Sequence, residues 1–130
     1  MLPLRYPWLW HVLGWILVSG VIFGSVAPGS MLRAVPGPDE FQHAGSYFVL
    51  TVWFAGLYAR SRLGVIAAIF LTLGLAMEII QGQLSYRGFD YEDLLANFVG
   101  ILVASGLSFW FLAGWCQRVE RWLTPAEETQ

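Results

Sequence analysis

Long apolar runs, separated by short polar breaks, dominate the chain. Charge-free stretches extend over Tyr6–Leu32, Phe41–Ala59, Leu63–Met77 and Leu94–Gln117. A membrane helix needs roughly 20 largely apolar residues, with about 17 sufficient. The third stretch reaches that length only by taking in Glu78, Ile79 and Ile80, which puts Glu78 about one turn from its boundary. The pattern predicts an all-α integral membrane protein, a bundle of four transmembrane helices at about 8–27, 41–59, 63–81 and 93–116 joined by short connections. After the last run, Val119, Trp122 and Leu123 share a face between Arg118, Glu120 and Arg121, which predicts a short interfacial helix over 117–123. Thr124-Pro125 marks its end.

Turn signals agree with this division. Pro28, Gly29, Pro36, Gly37 and Pro38 fill the first long loop. Pro38 suits the first position of helix 2, with Asp39 and Glu40 behind it to complement the helix dipole. Asp90 suits the cap of helix 4. Small residues recur every four positions: Gly20 and Gly24; Gly64, Ala68, Thr72 and Ala76; Gly100, Ala104 and Ser108. Such stripes let helices approach closely without a hydrophobic drive from solvent. They predict compact packing, either within one chain or between copies in a homo-oligomer.

Composition supports the membrane reading. The 130 residues are 57% apolar and 12% charged, against about 25% charged in a soluble domain. A single domain over residues 1–130 is expected. All basic residues are Arg, and no basic stripe suggests nucleic acid. Arg5, Arg60, Arg62, Arg118 and Arg121 fall on one side of the proposed spans, Arg33 and Arg87 on the other. The positive-inside rule then puts both termini in the cytoplasm and loops 28–40 and 82–92 outside. Trp8, Trp10, Trp15, Trp110, Trp115 and Trp122 fit interfacial belts, and Trp53 lies mid-helix. Ser25-Val26-Ala27 resembles a signal-peptide cleavage site, but the preceding run is long for that and Pro28 follows, so the run is read as a span. The single Cys116 excludes an intramolecular disulfide and reads as a small packing residue.

The chemistry lies at the outward helix ends. Asp39, His43 and Tyr47 share a face of helix 2; Glu78 and Gln81 share one of helix 3; Asp93, Asn97 and Gly100 share one of helix 4. Arg87 and Asp90 lie in the loop between the last two spans. Ionisable groups inside a spanning segment point to function by default. A shared cavity formed by these ends can hold a cation, a phosphate-bearing headgroup or a peptide. His43, Glu78 and Asp93 can complete an open divalent-metal site; a carboxylate beside His43 can serve as acid or base. Arg87 can bind an anion bidentately or pair with Glu78, Asp90 or Asp93. His11 has no matching partners and reads as structural.

The same residues resemble the VanZ-like family of small bacterial membrane proteins. The resemblance rests on Asp39-Glu40-Phe41-Gln42-His43 with Tyr47, and on Glu78-Ile79-Ile80-Gln81 with Arg87, Asp93, Asn97, Phe98, Val99 and Gly100. It covers about 36–104. Glu40 stands where the family pattern has Lys, removing a basic residue from the outer mouth. The family is named for an accessory protein of glycopeptide (teicoplanin) resistance. The resemblance implies the bacterial inner membrane and a setting at the outer cell surface. The expected partners are the bilayer and an envelope lipid, peptidoglycan-precursor or glycopeptide ligand. The expected activity is binding or modulation of that ligand. The alternatives are a membrane enzyme acting on a lipid-linked or envelope substrate, or an assembly protein whose small-residue stripes face lipid.

Overall fold

The computed structural model describes residues 1–28, Met31 and residues 38–123. Arg33, the turn markers Gly29, Pro36 and Gly37, and the stop at Thr124-Pro125 lie outside the described residues. The described chain is helical: α1 (Pro7–Val26), α2 (Asp39–Leu57), a 3₁₀ turn (Arg60–Arg62), α3 (Leu63–Gln81), α4 (Tyr91–Leu107) running into a π-helical turn (Ser108–Leu112), and α5 (Trp115–Leu123). Among the described residues, three helical segments are long and apolar enough to cross a membrane: Pro7–Val26, Arg60–Gln81 and Tyr91–Leu112.

The helix starts follow local chemistry. Pro7 opens α1, where its missing N–H costs nothing. Asp39 and Glu40 occupy the first turn of α2, where negative charge meets the positive end of the dipole. Asp90 caps α4, its Oδ1 accepting from the Glu92 N–H at 2.8 Å. The helix therefore starts at Tyr91 rather than at the expected 93.

α2 is the most polar of the long helices and the one the others surround. Tyr47, Leu50, Thr51, Ala55, Gly56 and Leu57 are all buried along it. The core joins Tyr47 and Leu50 of α2 to Val18 of α1, Ile66 and Phe70 of α3 and Ile101 of α4. α4 lies closest, because Gly100 removes the side chain that would keep the helices apart. A Cβ there would overlap the backbone carbonyl of Ala44. The rest of this stripe, Ala104 and Ser108, is also buried, so its packing is within the chain. The α3 stripe of Gly64, Ala68, Thr72 and Ala76 instead faces outward.

The last run does not continue as one helix to 116. It breaks at Ala113-Gly114, where Gly114 adopts φ +69°, a conformation open to glycine at little steric cost. The Gly114 N–H donates to Ala55 O at 3.1 Å. Arg118 donates to the carbonyls of Ala113 and Phe111 at 3.0 and 2.8 Å, satisfying groups released by the break. α5 thus starts at Trp115, two residues before the expected interfacial helix, and folds under the end of α2. Trp122 is exposed while Cys116 is buried.

This end is closed by aromatic and carboxylate contacts. Trp10, Trp53 and Trp115 form a triangle with ring centroids 5.6, 5.3 and 5.4 Å apart. Their indole N–H groups donate to Glu120 Oε1, Trp10 O and Val52 O. Trp10 and Trp115, expected in the interfacial belts, are packing residues here together with Trp53. Trp8, Trp15, Trp110 and Trp122 stay exposed, as a belt requires. Glu120 also accepts from the Arg5 and Tyr6 N–H groups at 2.7 and 3.0 Å. Slight burial opposes its charge, but these hydrogen bonds hold its carboxyl below the usual glutamate range. The clamp is at full strength above that range and is lost as pH falls through the depressed value. His11 is structural here, its ring nitrogens meeting Pro7 O at 2.7 Å and the Tyr58 hydroxyl at 3.2 Å.

Candidate functional site

The opposite end of the bundle gathers the polar residues. α2 and α3 run antiparallel through the 3₁₀ turn, so the start of α2 lies beside the end of α3, and the start of α4 returns to the same level. His43 sits between two carboxylates. Its Nε2 lies 3.5 Å from Asp93 Oδ2, and its Nδ1 lies 3.8 Å from Glu78 Oε1. Nδ1 is nearer still to Asn97 Oδ1, at 3.2 Å. One donor atom from each of His43, Glu78 and Asp93 falls within 4.8 Å of the others.

These residues differ in depth. Glu78 is fully buried, while the side chains of His43 and Asp93 are 13% and 17% exposed. Glu78 Oε2 accepts from the Asp90 N–H at 3.2 Å. Its Oε1 is buried without a hydrogen bond, as are Tyr47 Oη and Asn97 Nδ2. Tyr47 is within electrostatic reach of Glu78. Gly74 of α3 supplies the floor on which Tyr47 and Asn97 meet. Asp39, Glu40 and Asp90 act on Asp93 through space from the rim. The cluster is therefore acidic, with one imidazole between two carboxylates. It can accept a cation or pass a proton through His43.

Two expected members are used elsewhere. Gln81 Nε2 donates to Ser25 O at 2.8 Å. Arg87 does not take up the expected pairing with Glu78, Asp90 or Asp93. It donates through Nε and Nη2 to Ala27 O at 3.3 and 3.1 Å, and through Nη2 to Gly24 O at 3.3 Å. Tyr86, absent from the sequence-based candidates, donates its hydroxyl to Val26 O at 2.9 Å. Together these residues satisfy the last carbonyls of α1, which a helix end otherwise leaves unpaired. The cue for Tyr86 was its place beside Arg87 in a loop following a span, too weak to single it out.

Arg87→Ala is expected to destabilise the protein by about 1.5–3 kcal/mol, the usual worth of hydrogen bonds from a charged group. Thermal unfolding in detergent measures this. Unchanged stability would mean that water replaces the guanidinium at the α1 terminus.

An apolar groove of about 390 Å³ adjoins the cluster, between α3 and α4. Leu71, Leu75, Leu94, Leu95 and Phe98 form its walls, with Tyr91 and Asn97 completing it. Asn97 therefore faces the groove while its Oδ1 meets His43. No family model, curated protein or solved structure matches the chain.

Proposed function

We propose that this is a four-span inner-membrane protein of the VanZ-like type that binds an envelope lipid or lipid-linked ligand at the outward ends of α2, α3 and α4. The observation that carries the reading is the position of Asn97. It touches both an apolar groove and the His43–Glu78–Asp93 cluster. A groove beside a polar cluster suits an amphiphile, with a chain along Leu75 and Leu95 and a polar group near His43. The acidic cluster and the engagement of Arg87 with α1 favour a cationic or cation-bridged group over a bare anion.

In this reading α2 is the fourth span. Its polar residues lower its overall apolarity, but Tyr47 and Thr51 face inward, where neighbouring helices shield them from lipid. The gathering of Arg5, Arg60, Arg62, Arg118 and Arg121 at the bundle end opposite His43 supports a cytoplasmic location for both termini. Cys116 is buried and its thiol is pushed up to about 12 by burial, so engineered cysteines can be labelled with little background. Ser85→Cys is expected to react with an impermeant maleimide in intact cells, and Ser61→Cys only after lysis. The reverse pattern would invert the topology.

Native mass spectrometry of the protein purified in mild detergent tests the binding function. A retained lipid is expected with the wild type, and its loss is expected with Leu95→Trp, which fills the groove, and with Asn97→Ala. Equal retention by all three would reject the groove as a ligand site.

The convergence of His43, Glu78 and Asp93 also supports a second reading, an enzyme acting on the bound ligand. It requires the mass of the retained ligand to change on incubation with wild type but not with His43→Ala.

A further inference from the structure

We infer that His43, Glu78 and Asp93 form a three-ligand site for a divalent transition-metal cation of the zinc class, a deepening that rests on the ligand-binding function above. Asn97 gives the first indication. Its amide oxygen only accepts, so a neutral His43, whose Nδ1 meets it at 3.2 Å, would carry its proton on Nδ1. In a neutral ring the Nε2 lone pair then points toward Asp93 Oδ2, 3.5 Å away. Two electron-rich atoms face one another, and a positive species between them resolves the conflict.

The distance favours a metal ion over a proton. A charge-assisted N–H···O bond is about 2.7–2.9 Å long. Two ligand atoms that each sit about 2.0–2.2 Å from a tetrahedral ion lie about 3.4 Å apart. The 3.5 Å between His43 Nε2 and Asp93 Oδ2 matches the second case; the three donor atoms together spread more widely, within 4.8 Å, so the side chains close on the ion as it binds.

Glu78 is the independent indication. Its Oε1 is fully buried, makes no hydrogen bond and lies in the cluster. Its other oxygen is held by the Asp90 N–H, so Oε1 can serve as the third ligand. Two carboxylates and a neutral imidazole carry the charge a divalent ion balances. The mix of one nitrogen and two oxygens suits zinc and its neighbours better than a soft ion. Asn97 and the Asp90 amide are the outer partners that orient the ligands. Three protein ligands leave a coordination position for a polar group of the bound lipid or for water.

The test uses the full chain in detergent, stripped with a chelator and reloaded with Zn²⁺ alone. The expected result is one tightly retained ion per chain and a Zn²⁺-dependent rise in Tm. His43→Ala and Asp93→Asn should abolish both. Asn97→Ala should weaken binding by about 10–100-fold while leaving the ligands in place. Folded wild type that retains no ion and shows no Tm response would overturn the metal site. Retention unaffected by His43→Ala and Asp93→Asn would also overturn it, placing the ion elsewhere. Leu95→Trp separates the two proposals: it should keep the ion and lose the lipid. Loss of lipid without any ion in wild type rejects only the metal. A bound ion with lipid retention unchanged rejects only the groove.

Discussion

Glu78→Ala should lower the melting temperature in detergent more than Glu78→Gln. The side chain is fully buried, accepts the Asp90 N–H and lies 3.8 Å from His43 Nδ1. Alanine leaves that amide without its acceptor, leaves a void beside Tyr47, and removes one partner of a buried charged cluster. A buried donor left unpaired costs about 1–3 kcal/mol, and the cavity adds to it. Glutamine keeps an oxygen for Asp90 and fills nearly the same volume, so most of that loss is avoided. An interfacial glutamate in water would behave differently, because exposed pairs contribute only about 0–1 kcal/mol. Thermal or chemical unfolding of the three proteins discriminates. If both variants match the wild type, Glu78 is hydrated and the cluster loses its deepest member.

Gly100→Ala and Gly106→Ala should have opposite signs. Both glycines lie within α4, where alanine is intrinsically the better helix former by about 1 kcal/mol. At Gly106 nothing lies within 4 Å of the added methyl group, so that gain should appear as a small stabilisation. At Gly100 the methyl group would overlap the Ala44 carbonyl, which is backbone and cannot rotate away. α2 must then move from α4, at an overpacking cost of about 1–3 kcal/mol or more. Ala44 follows His43, and Gly100 lies one turn from Asn97, so the same displacement should weaken Zn²⁺ and lipid retention. Equal melting temperatures for the two variants would show that the α2–α4 contact yields without cost.

Much of this organisation is legible in the residues themselves. Helix positions follow from apolar runs, and a three-residue turn such as Arg60–Arg62 leaves only an antiparallel pairing of its neighbours. Alternating helix direction then carries His43, Glu78, Asp93 and Asn97 to one end. What was not legible depends on contacts between distant segments. Arg87 could have met any nearby acceptor, and its use by Gly24 and Ala27 requires knowing where α1 ends in space. Gln81 carries the same ambiguity. The break before α5 had one local signal, Gly114, inside an otherwise unbroken apolar run. Trp53 resembled any mid-helix aromatic until Gly14 cleared room for it, the glycine's missing side chain lying where Trp53 Nε1 approaches.

The two clamps on α1 have a consequence for biosynthesis. The helix is made before the groups that close its ends, which come much later in the chain. The carbonyls at its end wait for Gln81, Tyr86 and Arg87, at separations of 56–63 residues, and its start waits for Glu120, 114–115 residues on. While the chain is being made, α1 must therefore hold its place by its own apolarity, and its uninterrupted run without charge provides that. The polar α2 is made before α3 and α4 can shelter it. The nascent chain should consequently pass through a stage in which α1 is inserted and α2 is exposed to quality control. Release from that stage requires α4, which ends at Leu107, and the clamp on the start of α1 closes only with Glu120.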